Sequence, residues 1–550
     1  MSTRTRKTKE PWYKSSVVYQ IYPRSFKDSN GDGIGDLPGI ISKLDYLKEL
    51  GIDVIWLSPV YESPNFDYGY DISNYRKINP EFGTMKDMND LIKEAKARNI
   101  KIIMDLVINH TSSSHEWFKS SMDRNSPYRD YYYWVEKEDL PKNKTKPNNW
   151  TGFFSSECWE EYDNAFYLHM FGKEQPDLNF HNPKVIQEVK EIMTFWLKKG
   201  IRGFRCDVIN IIYKESLEDG RSQLALRGIE HYCSTKGCHQ LLKEFRRDVF
   251  DKYDCFTVGE TVFSDVSGAQ DLSDAKRKEL DMVFGFEHLE VDNWMFKWFP
   301  IKFKPRKLMR VLTKWQRHIE WNANFFENHD QPRLIERFGD PVNYYQESGK
   351  LFATLLFGLK GTPFIYEGQE IGMTNAPFTS VSQFKDIELN TFFPLANLLH
   401  YSERKMLRVL RARGRENART PMQWTQEGGF SKGEPWIMMN PNTTNINVRD
   451  SEKDPFSILN FYKKLIKLRQ QNEVLIYGDF TSILETDYVY IFKRILENKS
   501  FIIILNISGH TEVINSMYKG NVLASSYDRL LLNEGKTILR PYESMIVEVD

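Results

Sequence analysis

Cysteine is scarce, with five residues in a chain of 550. An odd, small number spread over that length does not make a disulfide framework, and "HYCSTKGCH" (231–239) lacks the second Cys/His pair of a zinc finger. Long apolar runs are also missing. "LFATLLFGL" (351–359) is far too short to span a membrane, and the basic, polar "MSTRTRKTKEPWYKSS" at the N-terminus has no apolar core of a secretory signal. A cytoplasmic location is therefore expected, where the N-x-S/T sequons at Asn143, Asn149, Asn442, Asn498 and Asn506 carry no meaning. Net charge is absent too. Lys plus Arg and Asp plus Glu both number 75, which removes any whole-protein field for drawing in nucleic acid or an anionic membrane. No Gly-rich phosphate fingerprint follows the first strand-like run, which argues against a doubly wound nucleotide-binding sheet. Neither nucleic acid, membrane nor an obligate protein partner is expected.

Length and periodicity supply the positive signals. At 550 residues the chain calls for two or three domains. The aromatic share (36 Phe, 28 Tyr, 13 Trp) suits a large core and clefts that stack on flat ligands. Short β-branched or aromatic runs recur at 17–23, 54–59, 101–110, 203–208, 256–260, 281–287, 324–330 and 362–370. Helical patterns such as "LPGIISKLDYLKELG", "MKDMNDLIKEAKARN" and "VIQEVKEIMTFWLKKG" lie between them. Eight strands alternating with helices predict an α/β chain with a (β/α)8 TIM barrel. Residues 111–180 are long, Asn/Lys/Pro/aromatic-rich and poor in helical period, so they read as a subdomain inserted after strand 3. From 473 to 550 short alternating runs such as "YVYIFKRI" and "FIIILNIS" predict a C-terminal antiparallel β-sandwich. The barrel then comprises 1–110 and 181–472.

"GIRGFRCDVIN" (200–210) puts Arg205 and Asp207 into an otherwise apolar strand. A buried structural ion pair would explain them, and so would an active site at the strand end. Barrel enzymes carry catalytic groups at the C-terminal ends of strands. Asp105 and His110 close the third run, Arg205 and Asp207 the fourth, Glu260 the fifth, and His329 with Asp330 the seventh. Several carboxylates at one mouth can hold different protonation states. An ionised nucleophile about 5–5.5 Å from a protonated acid is what glycoside cleavage with retention requires.

Those segments, "DLVINH", "GFRCDVIN", "VGET" and "ENHDQPR", resemble the four signature regions of the α-amylase family of glycoside hydrolases. With "QPDLN" (175–179), "GTPFIYEGQEIGM" (361–373) and "RENARTPMQW" (415–424), the chain is similar to the family's oligo-1,6-glucosidase subgroup from Trp12 nearly to the C-terminus. The resemblance implies Asp207 as nucleophile, Glu260 as general acid and then base, and Asp330 as stabiliser of the distorted sugar. It implies Asp67 on the 4- and 6-hydroxyls of the terminal glucose, Tyr70 beneath its ring, and Asp67 with Arg415 closing the pocket for exo action. His110, Arg205, His329 and Arg419 complete the donors. Val208, beside the nucleophile, resembles enzymes preferring α-1,6 bonds. The implied activity is a retaining exo-acting α-glucosidase on short oligosaccharides, isomaltose type preferred, with trehalose-6-phosphate hydrolysis or sucrose hydrolysis and isomerisation as alternatives. Phe66 and Tyr68 depart from the small polar or acidic residues around Asp67, and the run after strand 6 lacks the Arg-Leu-Asp-Arg-Asp of sucrose isomerases. Family members that are accessory subunits of transporters carry a membrane span and lose the carboxylates, unlike this chain.

"DSNGDGIGD" (28–36) alternates Asp28, Asn30, Asp32 and Asp36 like the first half of a calcium loop, with Gly33 permitting the turn. The twelfth position is Gly39, not the Glu of an EF-hand. The subgroup's calcium loop is the better match, and it adds the Ile34 carbonyl. A structural Ca2+ is the implied cofactor.

Overall fold

The computed structural model describes residues 10–223 and 225–549. Eight parallel strands form its centre: β1 (Val18–Ile21), β2 (Val54–Leu57), β3 (Lys101–Leu106), β4 (Gly203–Cys206), β5 (Phe256–Glu260), β6 (Met282–Phe284), β7 (Ala323–Asn324) and β8 (Thr362–Tyr366). The ladder runs β6-β5-β4-β3-β2-β1-β8-β7, each pair parallel, which is the order of a (β/α)8 barrel. β1, β2, β4 and β8 are buried along their whole length, as expected of strands covered on both faces. No ladder among the described residues joins β6 to β7. That seam is filled by rings instead: Phe284 meets Phe325 at 4.9 Å and Phe364 at 4.8 Å, both edge-on.

The surrounding helices start and stop where side chains can satisfy their ends. Met85–Ala97 begins at a capping box made by Thr84 and Asp87. Pro183–Lys199 is capped by Asn182 and ends on Gly200 at φ 111°. The expected 37–51 helix is two shorter ones, Leu37–Ile41 and Leu44–Leu50. The expected seventh strand is also shorter than its run. It stops at Asn324, because Glu327 turns back to accept the Leu334 N–H and Asn328 accepts that of Asp330. The apolar run there therefore packs as a turn rather than a ladder.

Between β3 and β4 a three-stranded antiparallel sheet (134–136, 165–168, 159–162) has its own apolar cluster, including Trp150, Trp159, Phe166 and Phe171. Val208 and Ile211, just past β4, insert into that cluster. At the other end the chain stays helical to Tyr477, with Val474, Leu475 and Ile476 buried in the main core. The six-stranded antiparallel sheet therefore starts at Asp479 rather than 473. A two-stranded ribbon (512–516 with 535–539) covers it, Ile514 and Leu539 packing with Ile502, Ile504, Met545 and Val547 as a sandwich.

Candidate active site

β4 aims two of the charges. Side chains alternate along a strand, so Arg205 and Asp207 share one face while Phe204 and Cys206 take the other. Register with β3 sets Asp105 beside Arg205. β4 can approach β5 because residue 203 is glycine at φ 147°: a Cβ there would sit 2.0 Å from the Phe256 carbonyl oxygen.

Arg205 is 1% exposed, and three carboxylates share its guanidinium. Nη1 donates to Asp105 and, at 2.5 Å, to Asp207, while Nη2 meets Glu260 at 2.8 Å. Glu260 also accepts the Val208 N–H at 3.2 Å. Two carboxyl groups on the two terminal nitrogens of one guanidinium lie side by side at the ends of neighbouring strands.

One cation among three carboxylates leaves negative charge in excess, and burial raises its cost. Burial pushes Asp207 up to about 6; Arg205 opposes the shift and Asp105 adds to it. Glu260 goes further, to about 7, through burial, with Asp207 and Asp330 adding while Arg205 opposes. Asp330 behaves in the opposite way. Burial would raise it, but the permanently charged Arg415 and Arg419 oppose burial, and it lies well below the usual carboxylate range. Its Oδ1 meets Arg419 Nη2 at 2.9 Å and Arg415 Nε at 3.2 Å. Three acids on one barrel mouth are thus graded by their neighbours, one firmly ionised and two titrating near neutrality.

The imidazoles are neutral scaffolding. Burial lowers His329 to about 3 and His110 to about 4. His329 stacks on Tyr70 (5.3 Å between ring centres, 6° between planes), its Nε2 is 2.7 Å from the tyrosine hydroxyl, and Gln20 holds its Nδ1 at 2.8 Å. His110 Nε2 lies 2.9 Å from the Tyr70 carbonyl oxygen and 3.1 Å from Gln175 Nε2. Gln175 in turn donates to Asp67 at 3.0 Å. One hydrogen-bonded wall therefore connects Asp67, Tyr70, His110 and His329.

Such an arrangement, a titrating carboxyl beside a second one of higher proton affinity with a permanently anionic third near enough to act on both, suits displacement at an acetal carbon with proton donation to the leaving oxygen. The model of the alpha-amylase catalytic domain matches residues 20–478. The chain belongs to the alpha-amylase family. An oligo-1,6-glucosidase of Parageobacillus thermoglucosidasius is 47% identical over 98% of this chain and 99% of its own. Among solved structures, trehalose-6-phosphate hydrolase of Bacillus licheniformis superposes with a TM-score of 0.93 at 40% identity, covering 98% of this chain and 100% of that one. Trehalulose synthase of Pseudomonas mesoacidophila MX-45 gives 0.93 at 37% identity, covering 98% and 100%.

In this alpha-amylase family member, Arg415 and Asp67 are held by different partners. Among the described residues Arg415 forms no ion pair with Asp67. Its guanidinium is taken by Asp330, by Asp386 at 3.4 Å and by Glu388 at 3.4 Å, so Asp67 is held through Gln175 instead. Asp386 and Glu388 carry no signal in the sequence, since "FKDI" is irregular and Glu388 stands just before the helix Leu389–Leu398. The only hint was that arginines four apart, at 415 and 419, need carboxylates to face. Arg419 Nη1 indeed meets Asp386 at 2.7 Å, and Lys297 pairs with Glu388.

The loop after β1 is folded on its own acceptors. Asp28 takes N–H bonds from Asn30, Gly31 and Gly33 and a hydroxyl from Ser431, bonds that outweigh burial and lower its proton affinity. Asp36 takes Ser29 and Gly39, and Asp32 takes Asn30 and Ile34. Among the described residues no three His, Cys, Asp or Glu side chains converge as a metal cluster, and no helix is long and apolar enough to cross a membrane.

Proposed function

We propose that the protein is a retaining, exo-acting α-glucosidase that removes terminal non-reducing α-glucosyl residues from short oligosaccharides, with α-1,6 linkages preferred. What carries the reading is the sharing of one Arg205 guanidinium by Asp207 and Glu260. In the first step Asp207 attacks C1 of the glucosyl unit as the C1–O bond breaks, and Glu260 delivers its proton to the departing oxygen. In the second, Glu260 takes a proton from water, which attacks C1 and releases Asp207. Asp330, ionised against Arg415 and Arg419, faces the positive charge that builds on the ring. Asp67 and Tyr70 would hold the sugar from the wall that His110 and His329 brace.

The pH dependence follows from the graded acids. Below about 6 Asp207 takes a proton and the nucleophile is lost, while above about 7 Glu260 gives its proton up and the acid is lost. The value of kcat/KM should trace a narrow bell between those limits, and Glu260→Gln should erase its alkaline limb.

Val208 supports the linkage preference. It follows Asp207 at φ 36°, a left-handed backbone unusual for a β-branched residue, and packs among Trp150 and Phe171 of the inserted region. A side chain held so firmly at the leaving-group border discriminates by shape, which is worth about 1–3 kcal/mol. Isomaltose should show a kcat/KM about 10- to 200-fold above maltose. The reverse order removes the linkage assignment, and adding panose, sucrose, trehalose and trehalose-6-phosphate to the panel ranks the rival substrates.

For the loop after β1 we propose a structural calcium, held by Asp28, Asn30, Asp32, the Ile34 carbonyl and Asp36. An all-oxygen donor set suits a hard cation. EDTA should lower the melting temperature while turnover of the still-folded enzyme stays unchanged, and identical melting with and without chelator refutes the site. A cytoplasmic location belongs to the same proposal, supported by five free cysteines suited to a reducing compartment.

A further inference from the structure

Away from the carboxylates of the active site, a cavity of about 640 Å3 opens beside the helix Glu403–Arg413. Its charge is unbalanced. Arg404, Arg408 and Arg411 are spaced four and three residues apart and so lie on one helix face, and all three are exposed and line the cavity. Among the described residues neither Arg404 nor Arg408 has a hydrogen-bond or ion-pair partner. Among the same residues, the Arg411 guanidinium donates to the Phe378 carbonyl oxygen. Deeper in, Arg337 and Arg413 both close on Asp292, each at 2.7 Å, so two cations share one anion. Arg413 is 5% exposed, lines the cavity and has its Nε buried without a partner. A buried guanidinium donor left unmet is costly, and its natural complement is an anionic oxygen.

We propose that this cavity binds a small organic phosphate ester carrying at least two phosphoryl groups. The row from Arg404 to Arg411 extends over about 10 Å of helix, too long for one phosphoryl group and matched to two. Guanidinium forks recognise phosphate oxygens in pairs, which separates this class from simple carboxylates. Ile301, Phe303 and Leu407 on the cavity wall give the organic part an apolar surface.

Fructose 1,6-bisphosphate, pyrophosphate and ATP without divalent metal, titrated into the full-length enzyme at fixed ionic strength, test this by heat and by melting temperature. The comparison proteins are the double variant Arg404→Glu/Arg408→Glu and the parent saturated with glucose. The double variant changes exposed residues outside the catalytic machinery, and unchanged p-nitrophenyl α-glucoside hydrolysis shows that it is folded. At least one probe should bind the parent saturably in a 1:1 ratio, at least tenfold more weakly in the double variant, and equally well with glucose present. Absence of saturable binding by all three probes, equal affinity in the double variant, or displacement by glucose each overturns the proposal.

Discussion

Asp207→Ala is expected to lose turnover of p-nitrophenyl α-glucoside by on the order of 10⁴-fold or more, the scale seen when a covalent nucleophile is deleted. That corresponds to about 5.5 kcal/mol of transition-state stabilisation. Glu260→Ala should behave differently, and the contrast is the stronger test. The p-nitrophenolate ion leaves without a proton, so the first step survives in this variant, whereas isomaltose, whose alkoxide needs one, should lose far more. Water then lacks its base, and azide can take its place. On Glu260→Ala azide attacks the β-linked ester of Asp207 and yields the α-glucosyl azide. On Asp207→Ala it enters the vacated space and displaces the aglycone in one step, giving the β anomer. The two variants thus carry opposite stereochemical signatures, read by proton NMR of the product. The same anomer from both, or Asp207→Ala turnover within tenfold of the parent, removes the roles assigned to this pair.

Why the sequence disclosed some of this and concealed the rest follows from where each residue sits. Arg205 and Glu260 lie on strands and Asp207 directly follows one, where alternation fixes which way a side chain points, so strand order brings them to one mouth. Asp330 and His329 stand past a two-residue strand, but their run was apolar enough to place them at the right end of the barrel. Asp386 and Glu388 belong to the irregular segment between β8 and the helix Leu389–Leu398. Nothing local says that it folds back over Arg415 and Arg419. Gln175, whose side chain connects Asp67 to His110, lies in an equally irregular stretch of the inserted region. The start of the C-terminal sheet slipped for a related reason: "EVLIY" is as apolar as a strand, and its helical geometry is decided by packing on the barrel core, not by propensity.

Arg205→Ala should destabilise the fold by about 3–5 kcal/mol, because it leaves Asp105, Asp207 and Glu260 buried around a missing cation. The sign of its pH dependence separates this cause from simple lost packing. With Arg205 present, Asp105 and Asp207 already sit at about 6 and Glu260 at about 7, above their ordinary values. A carboxyl raised in the folded state favours folding at low pH and gives up that contribution as pH rises through its folded value. Deleting the guanidinium raises all three further. The variant's deficit relative to the parent should therefore be smallest in mild acid and widen as pH climbs through 6 and 7, measured as the difference in urea midpoint. A deficit flat across that range would mean that only packing was lost. Arg205→Lys should recover little, since one ammonium cannot span Asp207 and Glu260 as two terminal nitrogens do. At a temperature where Arg205→Ala stays folded, kcat should still collapse while KM changes little. In the proposed mechanism the guanidinium aims the nucleophile and the acid at one carbon, a duty that a purely structural ion pair inside a strand would not have.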